Sequence, residues 1–329
     1  MEINKLILHI LDTQKNIFVP SECEINKLNE DIVPLVESKL NRIFKSSNKK
    51  QAHFQNSPVE KIIFDYKTNV IDFVTCSQKI AHYLFEEKRK YNIFHSSDFI
   101  FAEVKHEDIR YLVGMDNAHF ARLTHKTNTL EDKIQNDIIF ENSLFSSNLT
   151  KEDRIFIVEY SNSSLQLIEN PYVFQTNKIY VLQEILMCSA KPSYTETLKA
   201  MTLAVESLTQ KHELDDTKTL PALKAAIKNA ITLDKVIEPE EIIEDVFEDQ
   251  NIQEEFKEEI KKMGIQSLEV ENIKPNKQLS YQKIKTDNGI EITLPVDYMH
   301  QKDMVEFIHE SNGKISIQIK NISSLITKH

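Results

Sequence analysis

Apolar positions along this chain change period several times, and each change marks an element. Residues 3–11 form a nearly continuous apolar run that predicts a short buried strand, with 16–19 as its returning partner. Leu28, Ile32, Leu35, Val36, Leu40 and Ile43 recur at three- and four-residue steps, the spacing of one helix face. Pro34 falls in the first turns of that helix, where a missing N–H costs least. A polar, basic loop follows at 45–50. Val70, Phe73, Ile80 and Leu84 predict a second helix over about 70–90. Residues 99–104, 110–115, 119–124, 155–160 and 165–168 are rich in β-branched and aromatic residues and read as strands. The connectors 105–108 and 116–118 are short, which favours antiparallel neighbours.

From about residue 191 the period becomes helical. Leu198, Met201, Val205 and Leu208 make one stripe, and Leu223, Ile227 and Ile231 another. Glu238-Pro239 reads as a helix start, and Ile242, Val246, Phe256, Ile260 and Met263 give the following stretch an apolar side. Two helices broken around 249–251 are expected there, with Gly264 as the cap of the second. Near the end, alternating runs flank Asn288-Gly289 and Asn312-Gly313, which predicts two β-hairpins with type I′ turns. The fold class is α+β: a mixed domain with an antiparallel sheet at 1–190, a helical region at 191–264, and a small hairpin-rich β domain at 265–329.

Charge sharpens this division. The chain has 40 Lys and Arg against 51 Asp and Glu, a net −11. Eleven acids and one base lie between Glu238 and Glu259, so this one segment carries −10 and the remainder −1. An acidic average therefore does not exclude a polyanionic partner for the rest of the surface. Four glycines leave no room for a Gly-rich phosphate loop. Three scattered cysteines, Cys23, Cys76 and Cys188, argue against a disulfide framework. The apolar start is too short and too weakly basic for a signal peptide, and no run reaches the ~18–20 residues of a membrane span, so a cytoplasmic protein is expected.

Three groupings could carry chemistry. Asp98 with Glu103 and Lys105 has the composition of a metal-dependent nuclease site, two acids for Mg²⁺ and a lysine for water. The plainer alternative is a strand end with solvated charges. His119 and His125, six apart, with His106 upstream, would share a strand face and could bind a metal; ordinary sheet histidines are the alternative. Basic residues cluster at Lys39, Arg42, Lys45, Lys49 and Lys50, at Lys88-Arg89-Lys90, and around Lys274, Lys277, Lys283 and Lys285 beside Tyr281. Such clusters neutralise phosphates, but they also complement helix dipoles. No catalytic residue and no cofactor follows from these patterns.

The opening Met1-Glu-Ile-Asn-Lys-Leu-Ile-Leu-His-Ile-Leu-Asp12 and the closing Gly289-Ile-Glu-Ile-Thr-Leu-Pro295 and Asn312-Gly-Lys-Ile-Ser-Ile-Gln-Ile-Lys-Asn-Ile322 resemble bacterial nucleoid-associated proteins of the YejK/NdpA type. That resemblance implies a cytoplasmic, non-enzymatic protein found with the nucleoid, binding DNA directly or through a partner. The resemblance carries over no binding residues; from the basic clusters, Lys45, Lys49, Lys50, Lys88, Arg89 and Lys90 are the expected phosphate contacts. The acidic helices would limit that binding or dock a basic protein. The alternative is a scaffold, homodimeric through an edge strand at 314–322, that reaches DNA through partners.

Overall fold

A computed structural model describes every residue except 26–29, 92–95, 131–132, 144–145, 175–176, 271–276, 300, 312, 325 and 327–329. The chain divides into two compact units, Met1–Ser193 and Tyr194–His329. It is α+β, as the apolar periods predict.

The first unit opens with β1 (Glu2–Asp12) and β2 (Ile17–Val19), then α1 (Val33–Phe44), β3 (Lys50–Phe54), α2 (Pro58–Lys67) and α3 (Phe73–Lys90). It continues with β4 (Ser97–His106), β5 (Ile109–Ala118), β6 (Phe120–Leu130), β7 (Lys133–Ser143), β8 (Arg154–Glu159) and β9 (Leu165–Ile168). A short pair, β10 (Tyr172–Phe174) and β11 (Asn177–Ile179), precedes α4 (Val181–Leu186) and β12 (Cys188–Ala190). Eight strands form one sheet in the order β12-β3-β9-β8-β5-β4-β1-β2, every neighbour antiparallel.

Alternation along the strands sends residues to two cores. Ile7, Phe99, Phe101, Leu112, Phe156 and Val158 face α2, α3 and α4. Leu6, Ile100, Ala102, Val104, Val113 and Ile157 face Val36, Leu40 and Ile43 of α1. Burial on both faces explains why β4 reads as an almost unbroken apolar run. Gly114 stands opposite Phe156 across the β5–β8 pair, and a Cβ there would lie 2.2 Å from the Phe156 ring. The missing side chain gives that ring its place over the strand.

Three elements depart from the sequence reading. Helix α1 begins at Val33, with Pro34 in its first turn as expected, while Leu28 lies outside the described residues. Helix α2 is not among the elements that the apolar periods predict, although Ser57 accepts from the Val59 N–H as its N-cap and Pro58 follows, a strong start signal. The strand expected at 119–124 is the longer β6, which pairs with β7 and not with β5. His119 marks the departure, its N–H donated to the Ser96 carbonyl at 2.8 Å.

The second unit begins with α5 (Tyr194–Lys211) and α6 (Asp216–Asn229), followed by a π turn at Ala230–Asp234. Next come β13 (Val236–Ile237), α7 (Pro239–Ile242) with a 3₁₀ turn at Ile243–Asp245, α8 (Gln250–Lys262) and β14 (Leu268–Glu269). The acidic segment is folded as two helices, and Asp249 caps the second by accepting from the Asn251 N–H. Gly264 (φ +71°) closes it: Ile265 N–H bonds the Ile260 carbonyl and Gly264 N–H that of Lys261. Ile242, Ile243, Phe247, Ile252, Phe256 and Ile260 form the buried side, whereas Met263, expected there, is exposed. Met263 ends one residue past the last helical turn, off the apolar stripe.

After α9 (Lys277–Ser280), two hairpins end the chain: β15 (Tyr281–Lys285) with β16 (Glu291–Pro295), and β17 (Val305–His309) with β18 (Ile315–Ile319). Their positions match the sequence reading, but the turn at Asn288-Gly289 is not type I′. Gly289 alone has positive φ, its N–H bonds Thr286 O, and Thr286 N–H bonds Ile290 O. That is a type I turn followed by a left-handed glycine. Asn312 lies outside the described residues, and Gly313 repeats the Gly289 hydrogen bond with Glu310 as its acceptor. Two successive positive-φ residues occur instead at Glu107-Asp108, between β4 and β5, without a glycine.

Candidate nucleic-acid interface

The predicted cations separate sharply once folded. Lys88 leaves the basic end of α3 and turns inward. Its Nζ lies 2.7 Å from Ser97 Oγ and 3.0 Å from both carboxylate oxygens of Asp116. Arg154 stands 3.6 Å from the same carboxylate. Burial pushes the Asp116 carboxyl up, but Lys88 and Arg154 outweigh it and hold the group below the usual range; burial draws Lys88 down. Lys88 is therefore a core ion pair and not the phosphate contact its sequence neighbours suggest. Arg89 and Lys90 remain at the surface, paired to Glu86 at 3.1 Å and Glu87 at 2.5 Å on the preceding turn. Those glutamates cancel the charge that the Lys-Arg-Lys triplet displays in sequence.

Lys50 is also buried, with Nζ 3.5 Å from the centre of the Tyr180 ring. Lys39 is buried against Asp153 at 3.0 Å. The remainder of the first cluster stays outside. Arg42 and Lys45 are exposed on the last turn of α1 and just beyond it. Lys49 is half-buried and donates to the Phe44 carbonyl at 2.6 Å. Burial lowers its pKa, with Glu107 pulling the other way.

These groups gather around the end of β4. His106 packs its ring 4.5 Å from Phe44, which in turn meets Tyr111 at 5.0 Å. Burial lowers the His106 pKa most; Glu107 opposes it, and the N-terminal amine, Lys49 and Lys45 add to the lowering. The N-terminal amine, Lys49 and Lys45 thus share one corner with an aromatic floor and with Glu107, and Arg42 lies one turn back on α1. A shallow depression of about 690 Å³, lined by Pro34, Glu37, Ser38, Asn41, Arg42 and Lys45, runs along the exposed face of α1 beside it. Such a corner can hold a phosphate chain without reading bases. Arg42 belongs to the first basic cluster but not to the expected contacts, whereas Lys50 and Lys88 belong to both sets and are buried, because burial of a lysine depends on partners distant in sequence.

The other groupings do not assemble. Asp98 and Glu103 are an odd number of residues apart on β4 and so point to opposite sheet faces. Asp98 stands 3.0 Å from His119, without hydrogen-bond geometry. Glu103 accepts from the Tyr66 hydroxyl at 2.5 Å and from Arg110 at 3.0 Å. Lys105 pairs with Asp108 at 2.8 Å. His106, His119 and His125 sit at the end of β4, before β6, and on exposed β6 respectively. Among the described residues no three His, Cys, Asp or Glu side chains gather as a metal site.

In the second unit Lys283 pairs with Glu291 at 2.8 Å, so its hairpin is close to neutral; Lys274 lies outside the described residues. The acids of α7 and α8 line a solvated face, on which Glu254 pairs with Lys257 at 3.2 Å, Glu258 with Lys262 at 3.9 Å, and Glu255 with Lys211 at 2.7 Å and His212 at 3.0 Å. Among the described residues no helix is long and apolar enough to cross a membrane.

No curated protein matches the chain. The family model for nucleoid-associated protein YejK matches residues 7–326, nearly the whole length. A match of that extent places the chain, as its two termini suggest, in the YejK family of nucleoid-associated proteins.

Proposed function

We propose that this protein is a non-enzymatic component of the nucleoid that touches duplex DNA through the corner of Arg42, Lys45 and Lys49. The observation that carries the reading is the convergence of Lys45, Lys49 and the N-terminal amine on His106 at one end of the sheet, with Arg42 one turn back on α1. Contacts there go to phosphate, so binding is indifferent to sequence and weak. Lys50 and Lys88 drop out of the contact set because they are buried, and Arg89 and Lys90 contribute little while paired to glutamates. Family membership and the separation of Asp98, Glu103 and Lys105 support the absence of catalysis.

A second reading is favoured by the small number of free cations at that corner. The protein then reaches the nucleoid as a scaffold, and the acidic face of α7 and α8 docks a basic protein. Retention of labelled duplex by Arg42→Glu/Lys45→Glu, against Arg89→Glu/Lys90→Glu, separates the two. Loss in the first variant alone supports direct contact; no retention by the unaltered protein supports the scaffold. Cleavage of the duplex on adding Mg²⁺ overturns the non-enzymatic reading.

A further inference from the structure

A cleft of about 510 Å³ opens within the second unit, between α5, α6 and α9. Leu198 and Leu203 of α5, Leu223 and Ile227 of α6, and Leu279 of α9 make its walls apolar. Leu223, Ile227 and Leu279 are buried, whereas Leu203 is 50% exposed and marks the open side. Small-molecule sites occupy clefts of about 300–1,000 Å³ with apolar walls and a few polar groups that fix orientation. This cleft has that size and that make-up.

Its polar groups are all of one kind. Lys199 and Lys224 line it, and no carboxylate does among the described residues. Elsewhere in the unit lysines meet acids: Lys211 with Glu255, Lys228 with Asp297, Lys257 with Glu254 and Lys283 with Glu291. Lys224 has no such acid among the described residues, and its Nζ donates to the Tyr281 carbonyl at 3.2 Å. Burial lowers its pKa, and no carboxylate opposes the shift. Tyr194, 4% exposed, lines the same cleft, and its buried hydroxyl has no hydrogen-bond partner among the described residues. Burial pushes that phenol up to about 12, so it stays a donor. A buried tyrosine hydroxyl ordinarily finds an acceptor. The cleft therefore holds unmet donors and a cation without its counter-charge, set among leucines.

We propose that it binds a small amphipathic carboxylic acid, with the carboxylate accepting from Lys224 and the hydrocarbon tail lying on Leu198, Leu203, Leu223 and Ile227. Duplex DNA does not match it, because a phosphate strand carries a charge every ~3.4 Å and has no apolar surface for these walls. An uncharged apolar molecule matches less well than an acid, because it would desolvate Lys224 further and give it no partner. The cleft belongs to α5, α6 and α9, so its occupant leaves the α1 corner of the first unit free.

The test is calorimetric titration of the full chain with sodium octanoate, and with octanol as the uncharged chain of equal length. Octanoate is expected to saturate a single site and to bind at least about ten-fold more tightly than octanol, the worth of one charge-assisted hydrogen bond. Lys224→Met should weaken octanoate about ten-fold. Leu203→Glu changes an exposed side chain and sets a carboxylate at the open side, so it should abolish binding while the melting profile holds. Lys262→Met on α8, outside the cleft, should bind like the unaltered protein. No saturable heat with octanoate overturns the proposal. Octanol bound as tightly as octanoate also overturns it and leaves the cleft to an uncharged apolar occupant. Undiminished octanoate binding by Leu203→Glu overturns it as well, whether or not Lys224→Met folds.

Discussion

Lys88 and Asp116, 28 residues apart in sequence, form a bidentate ion pair with both side chains buried under α3. Removing one partner strands the other in the core. Lys88→Met is expected to lower stability by about 3–5 kcal/mol, since Asp116 would keep the Ser97 hydrogen bond and the more distant Arg154 but lose its closest cation. Reversing its exposed neighbours Arg89 and Lys90 to Glu leaves the unfolding midpoint nearly unchanged. Urea denaturation of the two variants measures the contrast.

His9 sets an acid limit. Its ring is buried, Nδ1 accepts from the Ser21 N–H at 3.0 Å, and burial lowers its pKa to about 4. Protonating Nδ1 would cost the Ser21 bond. Between about pH 6.5, the unfolded value, and about 4, the unfolded chain binds a proton that the folded one does not. Stability from this group is complete above that window and falls as pH drops through it, by about 3 kcal/mol. His9→Asn, which keeps an acceptor for Ser21, is expected to flatten the slope of unfolding free energy against pH in that window by one proton.

Gly114 is a packing requirement, not a turn. Alanine there would place a methyl 2.2 Å from the ring of Phe156, which is itself buried among Phe99 and Phe101. A loss of about 1–3 kcal/mol is expected for Gly114→Ala. Trimming the opposing ring in Gly114→Ala/Phe156→Leu should recover part of it, so the double variant melts above the sum of the two single changes.

Local patterns carried most of the fold. The Val36, Leu40 and Ile43 part of the α1 stripe (Ile32 and Leu35 are exposed), the strands β1, β4, β5, β8 and β9, the split acidic helices and both terminal hairpins were legible because each follows from period and capping within a dozen residues. The turn types were less so. Asn-Gly marks a turn but does not choose between a type I′ turn and a type I turn with a glycine bulge, and the double positive φ fell at Glu107-Asp108 instead. Strand β7 hid because Gln135, Asn136 and Asp137 interrupt its alternation, and its apolar side faces no core. The site was half legible. Lys45 and Lys49 stand where a basic loop should place them, while the fates of Lys50 and Lys88 depended on Tyr180 and Asp116, which no local pattern brings near.

The most direct measurement is the salt dependence of duplex DNA binding by the unaltered protein and by Arg42→Glu/Lys45→Glu/Lys49→Glu. Three phosphate contacts give a slope of log K against log salt of about −2.7, so affinity should fall about forty-fold between 50 and 200 mM salt. The triple variant, folded by its unchanged melting profile, should show no retention at either concentration. Binding by that variant equal to the unaltered protein, with the same slope, would contradict DNA contact at the α1 corner.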